Sequence, residues 1–250
     1  MEILYRSLIL IGCFVIGYLF GSIPNSVIIG RLFYNKDPRD YGSHNPGGTN
    51  VGRSISKGAG VATMALDFFK VIIPVLVFFA IFTYYEPAVN LMLGNDRSYN
   101  VFGQGNTLAE LTYYLVALGC MIGHAYSCFL KFKGGKIVSS FAGLILAISW
   151  TAIPIFAAIF FITLKKTKIV SITSIITTGC ITLFSWIVYI VFATCGPTIS
   201  GYFMFSELGP HVSIYMPIVF TLGYILLVFK HRSNLVKLKN GTENKIHWMK

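Results

Sequence analysis

The chain has 250 residues, 55% of them hydrophobic and 12% charged, with a mean hydropathy of +0.70 and a net charge of +11. That balance excludes an ordinary soluble protein and leaves no room for a separate soluble domain, so residues 1–250 are expected to form a single all-α membrane unit. In a soluble chain the positive charge would suit nucleic acid; here it marks the side on which Lys and Arg are retained, and no nucleic-acid partner is expected.

Apolar runs fall at about 3–30, 60–83, 108–129, 137–164, 170–193 and 211–229. Several reach the roughly 20 residues that a helix needs to cross about 30 Å of hydrocarbon. The first is too long for a removable signal and lacks a small-residue cleavage site, so it reads as one retained helix. The fourth has 28 residues, long for one crossing and short for two, and contains "SWTAIP", with Trp150 suited to an interface and Pro154 placed to begin a helix. Charge decides between the readings. With two short helices, about 137–149 and 151–164, one face holds 17 of the 20 Lys and Arg, leaving Arg6 and Arg97 opposite and Lys70 within a helix. The expectation is seven transmembrane helices, two of them short and shielded by neighbours, with the N-terminus outside and the C-terminus in the cytoplasm. On the outer face, 83–106 and 195–209 read as plain connections.

The five cysteines form no CxxC pair and mostly lie in apolar runs, so neither disulfides nor metal sites are expected. Three polar runs share the cytoplasmic face. "GSHNPGGTNVGR" (42–53) belongs to a segment with six glycines between Tyr41 and Gly60, and carries Ser43, Asn45, Thr49, Asn50 and Arg53 in place of the Lys and Glu of a solvated linker. Glycine amides beside an arginine make an anion nest, which suits phosphate. "GHAYSCFLKFKGGK" (123–136) turns through Gly134 and Gly135 and brings Lys131, Lys133 and Lys136 together. It is not a nucleotide P-loop, since Ile137 stands where Ser or Thr is needed; alone, its lysines read as a topology signal, and His124 reads as a packing residue. In "FKHRSNLVKLKNGTENK" (229–245), His231 and Asn234 are three apart and share a helix face. Convergence of the three runs suits a phosphate-bearing substrate meeting a lipid. A transporter for a phosphorylated metabolite would also use basic clusters, but would place polar groups at the midplane. A headgroup anchor would explain the lysines but not Ser43, Asn45, Asn50 and Asn234.

These motifs resemble the PlsY-type acyl-phosphate:glycerol-3-phosphate acyltransferases of bacteria over nearly the whole chain: "GSIPNSVIIGRL", "DPRDYGSHNPGGTNVGR" followed by "DFFK", "GHAYSCFLKFKGGK", "IVSITSI" and "HRSNLVKLKNGTENK". The resemblance implies transfer of a fatty acyl group from acyl phosphate to the 1-hydroxyl of glycerol 3-phosphate, giving lysophosphatidate and phosphate, as the first acylation of phospholipid synthesis. It implies a multi-pass plasma-membrane protein with its site on the cytoplasmic face, and no cofactor or metal. No histidine is followed by Asp at the fifth position, so the "HxxxxD" acyltransferase signature is missing. The family usually has a small residue at His44, Ala at Gly48, Gly at Val71 and Ile137, and Phe or Pro within "AYSCF". These departures bear on loop geometry more than on the charged groups.

Holding two dianions together requires paired cations, so Arg53 and Lys136 are assigned as principal phosphate ligands, with Lys133 as a further one. Ser43 and one of Ser171 or Ser174 would donate to phosphate, with the backbone of Gly42, Gly47 and Gly48 as cradle. Asn45, Thr49, Asn50, Gly134 and Gly135 complete the expected contacts, and His231 and Asn234 would orient the glycerol. No carboxylate is expected as base, and Asp67 is expected to pair with Lys70. The proton goes either to His231 or to a substrate phosphate oxygen. Whether a soluble acyl-phosphate-forming enzyme docks on the basic face is left open, as is the oligomeric state.

Overall fold

The computed structural model describes residues 2–93, 108–195 and 212–246, and all regular structure among them is helical. In chain order the α-helices are α1 (Glu2–Ser22), α2 (Asn25–Tyr34), α3 (Gly48–Ser54), α4 (Lys57–Tyr84), α5 (Glu86–Leu93), α6 (Leu108–Ala125), α7 (Val138–Ile148), α8 (Ala152–Thr167), α9 (Val170–Cys195), α10 (Tyr215–Lys230) and α11 (Arg232–Lys239). The connection expected at 195–209, Arg97 and most of 83–106 lie outside the described residues.

Four stretches are long and apolar enough to cross a membrane: Glu2–Tyr34, Lys57–Tyr84, Leu108–Leu130 and Val170–Thr194. Val138–Ile148 and Tyr215–Lys230 are shorter apolar helices. The protein is thus a multi-pass, all-helical membrane protein. The first apolar run, expected as one helix, is broken: α1 stops at Ser22 and α2 starts at Asn25. Pro24 explains the break, because it has no N–H to donate and disfavours helical geometry at Ile23.

The fourth run also breaks, at residues 149–151, as the charge pattern requires. Eleven residues of α7 rise only roughly 16 Å. Its neighbours cover it: Phe141, Leu144, Ile145 and Ile148 are fully buried, while Trp150 at the tip is half exposed. Gly143 lets α7 lie directly on α4, since a Cβ there would strike the Phe68 carbonyl.

The centre of the bundle is α6, whose Tyr113, Tyr114, Val116, Ala117, Cys120 and Met121 are buried in one cluster with Val71 and Val75 of α4 and Phe220 of α10. Backbone contact with α1 fixes its position. A Cβ on Gly17 would strike the Val116 carbonyl, and one on Gly21 the Cys120 carbonyl. From the other side, a Cβ on Gly119 would lie 2.8 Å from the Tyr18 nitrogen, and one on Gly123 2.8 Å from the Ser22 nitrogen. Contacts advance in the same direction along both helices, so α1 and α6 are parallel. In lipid, where apolar surface gives no driving force between helices, such small-residue contact is a principal source of association.

Gly119→Leu should therefore force the two backbones apart at a cost of about 1–3 kcal/mol or more, lowering the thermal unfolding midpoint in detergent. Gly12→Leu is the control, because nothing lies within 4 Å of a Cβ at Gly12. It should leave the midpoint unchanged.

Candidate active site

At one end of the bundle α6 and α10 finish and α4, α7, α9 and α11 begin. There a cavity of about 110 Å³ is lined from all three polar runs. The first run contributes Ser43, Asn45, Gly47, Gly48, Thr49, Asn50 and Arg53; Lys136 comes from the second, and Ser171, His231 and Asn234 come from α9 and the last run. Gly42, Lys133, Gly134, Gly135 and Ser174 are not part of the lining.

The first run is shaped before it meets a ligand. Asn50, buried in α3, is its organiser: Oδ1 accepts from the Ser43 N–H (2.9 Å), and Nδ2 donates to the carbonyls of Pro38 (2.7 Å) and Tyr41 (3.1 Å). Both of its N–H groups and one lone pair of its oxygen are spent on the loop, so its part is to shape the site. Gly42, with φ +60°, supplies the turn that brings Ser43 round. His44 also takes a left-handed φ of 57°, held by a 2.8 Å contact from Nδ1 to the Arg39 carbonyl. Gly48 admits no methyl group, which would collide with Met64 and lie 2.7 Å from the Gly60 carbonyl, so the alanine that the resemblance implies at this position does not fit this packing.

The arginines of this segment differ in availability. Arg31 and Arg39 are bound to Asp37 at 2.9 and 2.7 Å, and the hydrogen bonds from Arg39 hold the Asp37 carboxyl far below the usual range despite its partial desolvation. Arg53 has no hydrogen bond or ion pair among the described residues, faces the cavity, and is near enough to bear on Lys136 electrostatically. It is an unspent cation.

Lys136 lies opposite on the loop between α6 and α7. Its Nζ donates to Asn234 Oδ1 at 2.6 Å. Desolvation pushes its pKa down, Glu243 pulls it up, and Lys237, Arg53 and Lys230 push it down further. An incoming phosphate would relieve that repulsion. Ile137, with φ 56°, is a β-branched residue in a glycine-like conformation, which fits the glycine usual at this position. Burial of its side chain against Ala125 and Leu227 offsets the backbone cost. Because α7 and α9 both start at the cavity, with Val138, Val170 and Ser171 in its lining, their positive dipole ends add to the side-chain cations. Lys133, by contrast, is exposed and points elsewhere, which corrects its expected role as a phosphate ligand.

His231 sits at the junction of α10 and α11 and is 3% exposed. Its Nδ1 lies 2.8 Å from the Leu227 carbonyl, which can only accept, so Nδ1 carries the proton and Nε2 is left as an acceptor. Desolvation lowers its pKa to about 4, with the Leu227 hydrogen bond opposing and Lys136 assisting. The imidazole is neutral at physiological pH.

The chain then reverses. Gly241, with φ +70°, ends α11, the Thr242 N–H bonds the Lys237 carbonyl at 2.8 Å, and the Ile246 N–H bonds the Lys168 carbonyl at 2.8 Å. This fold-back puts Glu243 and Asn244 into the cavity wall. Glu243 Oε1 accepts from Ser171 Oγ (2.8 Å) and Asn234 Nδ2 (2.7 Å), completing a chain from Lys136 through Asn234 to the carboxylate. Ser171 is therefore the serine in the site, whereas the Ser174 hydroxyl donates to the Val170 carbonyl within its own helix. Glu243 thus places a carboxylate beside these groups, where no carboxylate is expected as base, and both its partners hold it in the wall. The asparagine-glycine pair after a basic helix was the available signal, as a helix-ending turn.

Asp67 pairs with Lys70 at 2.9 Å as expected, and also accepts from Asn25 Nδ2 at 3.0 Å. Both Asp67 and His124 line the cavity, a placement that spacing did not indicate. With Ser43, Thr49, Arg53, Lys136, Ser171, His231 and Asn234 gathered at one end of an apolar helical bundle, the structure is that of a membrane protein with a cavity lined by cations and several hydrogen-bonding groups.

Known proteins specify the class further. Residues 11–241 match the family model described as glycerol-3-phosphate acyltransferase, and the chain belongs to that family. It is 34% identical to the glycerol-3-phosphate acyltransferase of Staphylococcus carnosus over 94% of this chain and 96% of that protein. Its identity to the enzyme of Latilactobacillus sakei is 35%, covering 92% and 89%. Among solved structures, the fold is similar to crystal structures of PlsY (YgiH), an integral membrane glycerol 3-phosphate acyltransferase. The glycerol 3-phosphate form aligns with TM-score 0.70 and 24% identity, covering 95% of this chain and 96% of that one; the lysophosphatidic acid form gives 0.68.

A folded pKa near 4 against an ordinary 6.5 means that neutral His231 contributes stability fully above about pH 6.5, and that this is lost as pH falls toward 4. Between about pH 5.5 and 8 the profile of kcat should thus keep the same shape in His231→Gln as in the wild type, at lower height. A wild-type limb near 6.5 that vanishes in the variant would contradict the neutral imidazole.

Proposed function

We propose that this protein transfers a fatty acyl group from acyl phosphate to the 1-hydroxyl of glycerol 3-phosphate, releasing lysophosphatidate and phosphate. The observation that carries this reading is the cavity itself, in which Arg53 and Lys136 approach from separate elements while His231 and Asn234 offer an acceptor and an amide between them. Family membership supports the acceptor; the donor rests on the chemistry of the site. Acyl phosphate is already activated, so the catalyst has chiefly to hold two anions, orient a hydroxyl and stabilise the charge that develops.

The hydroxyl oxygen attacks the acyl carbonyl carbon, the bond between that carbon and the bridging phosphate oxygen breaks, and phosphate leaves with the bonding pair. The hydroxyl proton passes to an oxygen of the departing phosphate, while His231 Nε2 accepts from the other hydroxyl of the glycerol and so orients the acceptor. Arg53, Lys136 and Ser43 hold phosphate oxygens, Ser171 joins them by turning its hydroxyl from Glu243 to phosphate, and the backbone of the first run, from Gly42 through Gly47 and Gly48, forms the cradle around them. Met64, exposed by 38% on the outside of α4 and also part of the lining, gives the acyl tail an apolar way in from the bilayer. The whole chain acts as one domain, with seven crossings, the N-terminus outside, and the site and the basic C-terminal run on the cytoplasmic face of the plasma membrane. That basic face suits docking of a soluble acyl-phosphate-forming enzyme.

Purified protein given labelled glycerol 3-phosphate should form lysophosphatidate with acyl phosphate and not with acyl-CoA. Arg53→Ala and Lys136→Ala, each folded, should lose on the order of 100-fold in kcat/KM. Product from acyl-CoA, or full activity in both variants, would overturn the reading.

A further inference from the structure

The loop that carries Lys136 is seated on the end of α6. The Gly134 N–H donates to the Ala125 carbonyl (3.2 Å) and the Gly135 N–H to the His124 carbonyl (2.9 Å), so the diglycine satisfies carbonyls that the helix end would leave open. Gly134 lies on backbone: a Cβ there would strike the His124 carbonyl. Gly135 lies on a side chain: a Cβ there would strike His124 Nε2 and stand 3.0 Å from Cε1 and 3.1 Å from Cδ2. The imidazole is thus the floor under Gly135.

That ring is not held by a strong hydrogen bond. His124 is 7% exposed, its Nδ1 has no hydrogen-bond partner among the described residues, and Asp67 Oδ1 is 3.7 Å away. Asp67 is itself fixed by Lys70 and Asn25. A second void of about 10 Å³, the size of one water, lies beside the ring between Asp67, Lys70, Gly134 and Gly135. The ring is confined by packing on the network that ties α2 and α4 to α6. One residue beyond Gly135, the chain turns Lys136 into the cavity.

We infer that His124 is a positioning residue: its imidazole acts as a spacer that sets the height of Gly135 and so aims the Lys136 ammonium at the phosphate. This rests on the reading of Lys136 as a phosphate ligand. With the spacer removed the loop sinks toward α6 and Lys136 is withdrawn; with a methyl added at Gly135 the loop is lifted. Both errors affect the holding of an anion before they affect the chemical step.

Size exchange between the two positions tests this. In full-length protein reconstituted in detergent or lipid, His124→Ala and Gly135→Ala are each expected to raise KM for glycerol 3-phosphate or acyl phosphate at least tenfold, with a smaller change in kcat. In the double variant the methyl on Gly135 occupies space vacated by the ring, and KM should return to within about threefold of the wild type. A double variant as impaired as the product of the single effects would overturn the spacer, as would a wild-type KM in His124→Ala. A fall confined to kcat, with KM unchanged, would also overturn it and would point to a chemical role for the imidazole. Lys136→Ala separates the two layers: if it leaves both KM values unchanged, the reading of the site fails, and if it raises one while the exchange shows no compensation, only the spacer fails. Should His124→Ala not yield folded protein, His124→Asn, which trims the ring to a flat amide, takes its place in the same cycle.

Discussion

Backbone contact between α1 and α6 is the constraint on which the rest of the molecule depends. Four glycines bring the two backbones into direct contact, so α6 is fixed in height and rotation by close-fitting surfaces, with Ser22 Oγ donating to the Gly123 carbonyl across them. From that fixed axis the other helices take their places, with α4 and α10 packing on the flanks of α6 and α7 inserting beside α4. The end of α6 then becomes the reference point for the cavity, because the diglycine loop, the Lys230 ammonium (2.8 Å from the Ala125 carbonyl) and the Asp67 network all attach there.

Around that point the electrostatics are partitioned. Arg31 and Arg39 share the Asp37 carboxylate, and Lys70 is paired with Asp67. Among the described residues Arg53 has no hydrogen-bond or ion-pair partner, and Lys136 has only an amide oxygen. Two helix starts add partial positive charge from the backbone. In a wall bordering hydrocarbon, where the effective dielectric is low, each of these counts for more than it would on a soluble surface. The cavity therefore presents positive charge at two separated points.

Much of this was legible in the sequence wherever a single local pattern decided it. Charge placement located the break at 149–151 within the fourth apolar run, i,i+3 spacing gave the Asp67–Lys70 pair, and the three polar runs announced a shared face. What pattern could not supply was the partner across space. Ser171 and Ser174 have equal chemistry and sit three residues apart, yet only one faces Glu243. Lys133 and Lys136 share a loop, and the positive φ of Lys131 and Phe132 helps direct the first away and the second inward. Asn50 looked like a ligand because it lies among ligands, and its three bonds to the loop are visible only once Pro38 and Tyr41 are folded beside it. Glu243 escaped because only the folded glycine turn shows that the chain returns to the cavity.

The same turn changes what the end of the chain means in practice. Residues 242–246 are a piece of the wall, tied by backbone bonds to α11 and to the turn before α9, with Glu243 gripping Asn234 and Ser171. A purification handle joined directly behind this stretch would sit a few residues from the substrate cavity, and trimming back to Lys239 would unravel one side of it. Glu2, at the far end of α1, stands away from all of this, so labels, tethers and surface attachments belong there.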